Sequence, residues 1–237
     1  MINGNRMGRD FNNFSRANLG INSMVMHDYQ RVSGQRALSN AAGPVGMTPH
    51  VIEERQMNAV AMSVFDRLMM DRIIFLGMPI DDTVANVINA QLLFLESVDS
   101  KKDVHIYLNS PGGSVYSGLG IYDVMSYLNP DIATINTGMA ASLAAVLLCA
   151  GTKGKRSALK HSRTMIHQPS SGMQGTMSDM EISLKEGKKL KKELYEIISL
   201  HSGQDYKKIE KDSDRDYWMT SAEAEKYGLI DKVLSRR

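Results

Sequence analysis

Residues 138–151, GMAASLAAVLLCAG, place one hydroxyl, Ser142, among small and apolar side chains. Taken alone, such a serine is a small residue packing a crowded helix start. The chemical alternative is nucleophilic attack, and it sets conditions on the rest of the chain. A serine hydroxyl is a poor nucleophile at neutral pH, so a base must lie within hydrogen-bond reach and a third group must fix that base's tautomer. Backbone N–H groups must also face the oxyanion that forms on the attacked carbonyl, often the largest single contribution.

The sequence offers candidates for each part. Gly112 and Gly113, in SPGGS at 110–114, lack side chains and let backbone amides approach a substrate closely. The Leu143 amide would open a helix, where it has no intrahelical acceptor and sits at the positive end. SPGG by itself is equally an ordinary turn. His167 is the favoured base, because it ends the run TMIHQP and Pro169 keeps the following chain extended. His27 falls in an irregular N-terminal segment, His161 among turn residues, and His201 at a helix end, where a cation would satisfy terminal carbonyls. His50 and His105 offer no comparable setting. Pattern does not select the acid: Asp179, Asp212, Asp214, Asp216 and Asp231 all stay open.

These residues need a scaffold, and its pattern becomes regular from residue 72. RIIFLGMPI is a short apolar run closed by Gly77 and Pro79, which predicts a buried strand. Asp81 or Asp82 caps the helix DTVANVINAQLLFLESV, whose Val84, Val87, Ile88, Leu92 and Leu95 recur at helical spacing. DVHIYLNS predicts a strand, SVYSGLGIYDVMSYL a helix, DIATINTG a strand and SLAAVLLCAG a helix. This alternation predicts an α/β fold of parallel strands with right-handed helical crossovers. In such sheets working groups gather where strands end and helices begin, and Ser142 and SPGGS both fall there. Beyond residue 151, GTKGKRSALKHSRTMIHQP predicts a turn and strands. SDMEISLKEGKKLKKELYEIISLHSG predicts a long charged helix with an apolar set, Met180, Leu184, Leu190, Leu194, Ile197 and Ile198, broken by Gly187.

A chain of 237 residues, 43% hydrophobic, suits one domain with an appendage or two small domains. A net charge of +2 is too small to point to nucleic acid or membrane as the partner. The lysines at 185–192 alternate with Glu186 and Glu193 as a solvated face. No stretch approaches the roughly 20 apolar residues of a spanning helix. The single cysteine, Cys149, lies among Leu147, Leu148 and Ala150, which fits a buried apolar role and a reducing compartment. No zinc-type spacing and no GxxxxGK[ST] loop occurs, so no cofactor is expected in this chain and any ATP is hydrolysed by another. Residues 1–46 are Asn-rich and carry Arg6, Arg9, Arg16, Arg31 and Arg36 against Asp10 and Asp28, without periodicity. They are expected to be a disordered tail or removable propeptide outside the fold. Their Arg-rich, acid-poor composition also leaves a transit peptide open. The expected location is the cytoplasm, or an organelle matrix if that segment is a transit peptide.

With NSPGGSV, GMAAS and MIHQP in this order, the chain resembles the proteolytic subunit of the bacterial Clp protease. The resemblance runs from about VIEERQ at 51 to YGLIDKVLSRR at 237 and includes RIIFLGMPI, GTKGKR, HQPSSGMQG and IEKDSDRDYWMTSAEAEKYGLID. Residues 1–46 lie outside it, and 47–237 form the implied peptidase domain. It implies the nucleophile at Ser142, the base at His167, the acid at Asp216, and oxyanion donors at Gly113 and Leu143. Leu143 stands where many members carry Met, but only its amide is asked to act. The implied fold is crotonase-like: a head of parallel sheets with helical crossovers and a projecting helical handle at about 174–201. The implied assembly is a homo-oligomer of two stacked heptameric rings acting in protein quality control, and the composition of residues 1–46 with the abrupt start of the resemblance near 47–51 leads to the expectation of a zymogen whose tail is removed by self-cleavage. An AAA+ unfoldase of the Clp family would feed it unfolded polypeptides and use the ATP. Arg215 matches a family position in ring-to-ring contacts. Residues 53–63 depart from the family's pattern near the axial pore. His105 departs beside Tyr107, which matches a residue of the unfoldase-docking pocket.

Two other readings share these residues. An enoyl-CoA hydratase-like lyase would use the oxyanion site for a thioester enolate, with carboxylates as acid and base. A non-catalytic ring subunit would contribute structure alone. The ordered Ser142, His167 and Asp216 disfavour both.

Overall fold

The computed structural model describes residues 50–55, 58–170, 172 and 174–235, so the expected N-terminal extension lies outside the described residues. The chain divides into two compact units, residues 1–67 and 68–237. In the first, β1 (His50–Arg55) and β2 (Asn58–Ser63) pair antiparallel, with His50 opposite Ser63. Helix α1 (Val64–Met70) follows. Its start is held reciprocally, Asp66 N donating to Ser63 Oγ at 3.0 Å and Ser63 N to Asp66 Oδ2 at 3.3 Å. Periodicity predicted none of these three elements, because VIEER does not alternate and a helix of seven residues is too short to show its period. The Ser63-x-x-Asp66 spacing was the available signal.

The second unit is built on a sheet in the order β3 (Ile73–Leu76), β4 (Val104–Ser110), β5 (Ile132–Ala141), β6 (Arg156–Leu159) and β9 (Lys232–Leu234). Strand β7 (Arg163–Ile166) also pairs with β5, and β8 (Tyr217–Thr220) pairs with β7. The pairs from β3 to β6 are parallel, and α2 (Asp82–Val98), α3 (Val115–Tyr127) and α4 (Leu143–Cys149) are the predicted crossovers. Asp81 caps α2 by accepting from Val84 N at 2.8 Å. Ile88, Leu92 and Leu95 bury as their spacing predicted, joined by Ala85. Val87 does not: it is half exposed, one step off the buried stripe. Each fully buried aliphatic side chain contributes about 1.5–3 kcal/mol, and α4, buried at every residue, is the centre of this core. His105 and Tyr107 share one face of β4, as alternation requires.

Strand β5 changes neighbour along its length. Thr134, Ile135 and Asn136 lie opposite β6, whereas Met139, Ala140 and Ala141 lie opposite β7. The strand extends three residues past the predicted end at Gly138, because β7 supplies a second set of backbone partners there.

The long helix α5 (Met177–Ser202) opens on a capping box of Thr176 and Asp179 and closes on Gly203 in the left-handed region, φ 74°. Gly187 does not break it. Its C-terminal part buries Leu194, Tyr195, Ile197 and Ile198, while Met177, Ile182 and Leu184 stay exposed. Helices α6 (Tyr206–Asp212) and α7 (Ser221–Tyr227) complete the unit. The cation serving terminal carbonyls is Arg156 rather than His201: its Nη1 donates to the carbonyls of His201 at 2.9 Å and Cys149 at 3.1 Å. Asp231 holds that guanidinium at 2.6 Å. Burial pushes the Asp231 carboxyl up, but hydrogen bonds from Arg156 outweigh it and hold the group below its ordinary value. Burial and the Arg156 charge both push the His201 imidazole down, and its ring meets Tyr122 Oη at 3.2 Å instead.

Among the described residues no helix is long and apolar enough to cross a membrane.

Candidate active site

Ser142 begins α4 but does not cap it. A serine at this position ordinarily accepts a hydrogen bond from the first turn. Here the hydroxyl is turned away and lies 2.8 Å from His167 Nε2. The Ser142 backbone has φ 55°, a region that costs a non-glycine residue about 1–3 kcal/mol. That sharp turn from strand to helix lifts the hydroxyl out of the packing around α4. The small-residue packing reading of Ser142 explains neither feature.

Sheet register brings in the other two groups. On the parallel side, Ala141 lies opposite Met165 and Ser142 N donates to the Met165 carbonyl at 2.8 Å, so the ends of β5 and β7 stay together. On the antiparallel side the last pair is Ile166 opposite Tyr217. One further step in that register sets 167 opposite 216, and His167 Nδ1 is 2.9 Å from Asp216 Oδ1. With the carboxylate accepting from Nδ1–H, Nε2 is left free to accept from Ser142 Oγ–H. The side chain of His167 is 25% exposed and that of Asp216 is 60% exposed.

The remaining aspartates are engaged elsewhere. Asp179 caps α5, Asp212 accepts from Lys208 at 2.8 Å and Tyr227 Oη at 3.0 Å, and Asp231 holds Arg156. Asp214 faces Gln168, whose Nε2 donates to its main-chain carbonyl at 2.8 Å and reaches its carboxylate Oδ1 at 3.5 Å. His161 is exposed, and His27 lies outside the described residues. Cys149 is a buried thiol pushed up to about 12 by burial, which keeps it protonated and unreactive.

SPGG converges on the same point. Ile80 N donates to the Gly112 carbonyl and Ser114 N to the Ile80 carbonyl, both at 2.8 Å. Alternation along an extended chain then turns the Gly113 N–H to the opposite side. A methyl group on Gly112, φ 87°, would sit 2.8 Å from Ser142 Cβ and 2.9 Å from Leu143 N. The two junctions therefore touch, and they touch only because residue 112 has no side chain. Within the described residues, neither Gly113 N nor Leu143 N has a hydrogen-bond acceptor. The turn is braced by the two serines of the motif together with Ser117 and Asp82 outside it: Ser110 Oγ donates to the Met78 carbonyl at 2.7 Å, and Ser117 Oγ donates to Asp82 at 2.6 Å beside Ser114. The Ser-x-x-Ser spacing at 114–117 was the sequence signal for that brace.

A hydroxyl, an imidazole and a carboxylate in hydrogen-bonded series, beside two unpaired amides, can carry out acyl transfer through a covalent intermediate. An open cleft of about 500 Å³ lined by His167, Gln168, Pro169, Ser170 and Asp214–Asp216 adjoins them. Residues 55–237 match the family model described as Clp protease. The chain belongs to the Clp protease family. The ATP-dependent Clp protease proteolytic subunit of Porphyromonas gingivalis is 58% identical over 227 residues, covering 96% of this chain and 98% of that protein. The subunit of the same description from Bacteroides fragilis is 57% identical over 228 residues, covering 96% and 99%. The Clp protease family model begins at residue 55, but alignments covering 96% of the chain also take in most of residues 1–46, so the similarity does not stop where the motifs do.

Proposed function

We propose that the protein is the proteolytic core subunit of an ATP-dependent Clp protease, a serine endopeptidase that cleaves unfolded polypeptides to short peptides. One observation carries the reading: Ser142 adopts φ 55° and gives its hydroxyl to His167 Nε2 at 2.8 Å instead of capping α4. Ser142 Oγ attacks the scissile carbonyl as its proton passes to His167 Nε2, and Asp216 stabilises the imidazolium through Nδ1–H. The amides of Gly113 and Leu143 donate to the oxyanion. His167 then protonates the leaving amine, and water hydrolyses the acyl-enzyme on Ser142 by the same proton path in reverse.

The reading asks for no cofactor in this chain. ATP is hydrolysed by a ring-shaped AAA+ partner of the Clp family, which unfolds and delivers the substrate. Two heptameric rings of this chain stack to enclose the sites in the cytoplasm, and the exposed Met177, Ile182 and Leu184 of α5 supply an apolar surface for such stacking. In the same proposal residues 1–46 are removed by self-cleavage.

A fluorophosphonate probe tests the central step, since it labels only an activated serine. Ser142 should be labelled, and Ser142→Ala should lose labelling and about 10⁶-fold in kcat on a short fluorogenic peptide, with particle size unchanged. Undiminished cleavage by purified Ser142→Ala would refute the assignment.

A further inference from the structure

The register that sets Asp216 opposite His167 ends there, because Ile166 opposite Tyr217 is the last pair of the β7–β8 ladder. Asp216 is 60% exposed, so packing does little to fix its carboxylate. The open end is closed by Gln168. Its main-chain N–H donates to the Ser213 carbonyl at 2.6 Å, and its Nε2 donates to the Asp214 carbonyl at 2.8 Å. Its Oε1 accepts from Lys191 Nζ on α5 at 3.3 Å. The acid segment is thus bracketed: the ladder holds it at 217, and Gln168 holds it at 213 and 214. A carboxamide suits this place, since one planar group donates on one side and accepts on the other. A carboxylate would accept from Lys191 but would face the Asp214 carbonyl with lone pairs only.

We infer that Gln168 is a positioning residue for the His167–Asp216 pair, keeping the acid within hydrogen-bond reach of Nδ1 and joining its segment to α5 through Lys191. The inference rests on the peptidase reading above and adds a residue to it. Gln168 acts through placement alone. A misplacement of about 1 Å costs on the order of 100-fold in turnover, and loss of the side chain, with the main-chain bond to Ser213 kept, should cost about 10-fold.

The test is a four-protein cycle on the assembled full chain with a fluorogenic peptide: unaltered protein, Gln168→Ala, Asp216→Asn and the double variant. Gln168→Ala should lower kcat about 10-fold with KM within about twofold; in the Asp216→Asn background it should cost under about twofold, because no carboxylate remains to be misplaced. Fluorophosphonate labelling rates give the same ratios where turnover is slow. Equal losses in both backgrounds, or undiminished kcat in Gln168→Ala, would overturn the inference. The near-isosteric Gln168→Glu guards against a folding defect: it keeps the acceptor for Lys191, loses the donor to Asp214, and should fall with the alanine variant. Full activity in Gln168→Glu would also count as failure. If Ser142→Ala still cleaves, the peptidase reading itself is wrong; if it is dead while Gln168 variants match the unaltered protein, only the role of Gln168 is lost.

Discussion

The nucleophile side and the acid side of the Ser142–His167–Asp216 series are held by different forces. On the nucleophile side α4 is buried at every residue, and a methyl on Gly112 would sit 2.8 Å from Ser142 Cβ. On the acid side Asp214, Arg215 and Asp216 are all exposed, and between buried Ser213 and the last ladder residue, Tyr217, their segment is tied down by side-chain hydrogen bonding to Gln168. Close packing admits few alternative arrangements and resists displacement. Isolated hydrogen bonds near the surface contribute about 1 kcal/mol each and can be exchanged for water. The nucleophile is therefore set by the fold, whereas the acid is set by contacts that can be altered without touching the core.

That contrast is sharpened by variants that separate turnover from stability. After Ser142→Ala itself, the largest effect is expected at Asp216→Asn, which leaves the shape of the site but removes the charge and the tautomer control: kcat should fall about 10⁴-fold. Its exposure means that unfolding free energy should change by no more than about 0.5 kcal/mol. Gly113→Ala should come next. An added Cβ would lie 2.1 Å from the Ile80 carbonyl oxygen and 2.8 Å from Ile80 N, so the segment carrying the first oxyanion donor must move. Turnover should fall at least about 100-fold. Because Ile80 is itself core, the midpoint of thermal unfolding should fall as well, measured by circular dichroism. A Gly113→Ala protein with normal turnover and normal melting would break the contrast, since the tightly packed side would then have absorbed the larger insult.

The two sides also differed in how far they could be read from sequence. Ser142, Gly112 and Gly113 stand at strand-to-helix junctions, which hydrophobic periodicity locates, and α4 and β5 were both visible as apolar runs. His167 was legible as the end of a strand. Asp216 was not, because six aspartates follow residue 178 in similar polar surroundings, and the choice among them depends on the β7–β8 register. Antiparallel register between strands some fifty positions apart leaves no local mark. Resemblance to the Clp protease family supplied Asp216, and the 2.9 Å contact with His167 Nδ1 is its physical counterpart. Gln168 was passed over for a related reason, since its partners at 191 and 213–214 are set by tertiary structure.

The smallest effect is expected at Lys191. Its Nζ reaches Gln168 Oε1 at 3.3 Å, near the long limit for a hydrogen bond, and sits 5.5 Å from the Tyr195 ring centroid. It lies where α5 passes from its exposed part to its buried part, just before Leu194 and Tyr195. Lys191→Met keeps the aliphatic stem and removes the charge, so the helix should be unaffected while Gln168 loses one of its three anchors. The remaining bonds to Ser213 and Asp214 should hold the acid nearly in place, and kcat should fall only about twofold, in keeping with a partly exposed charged contact. In a Gln168→Ala background the same change should do nothing, because the anchored group is gone. A Lys191→Met loss larger than that of Gln168→Ala would place control of the acid in α5 itself, and the acid side would then owe its geometry to the helix and not to one amide.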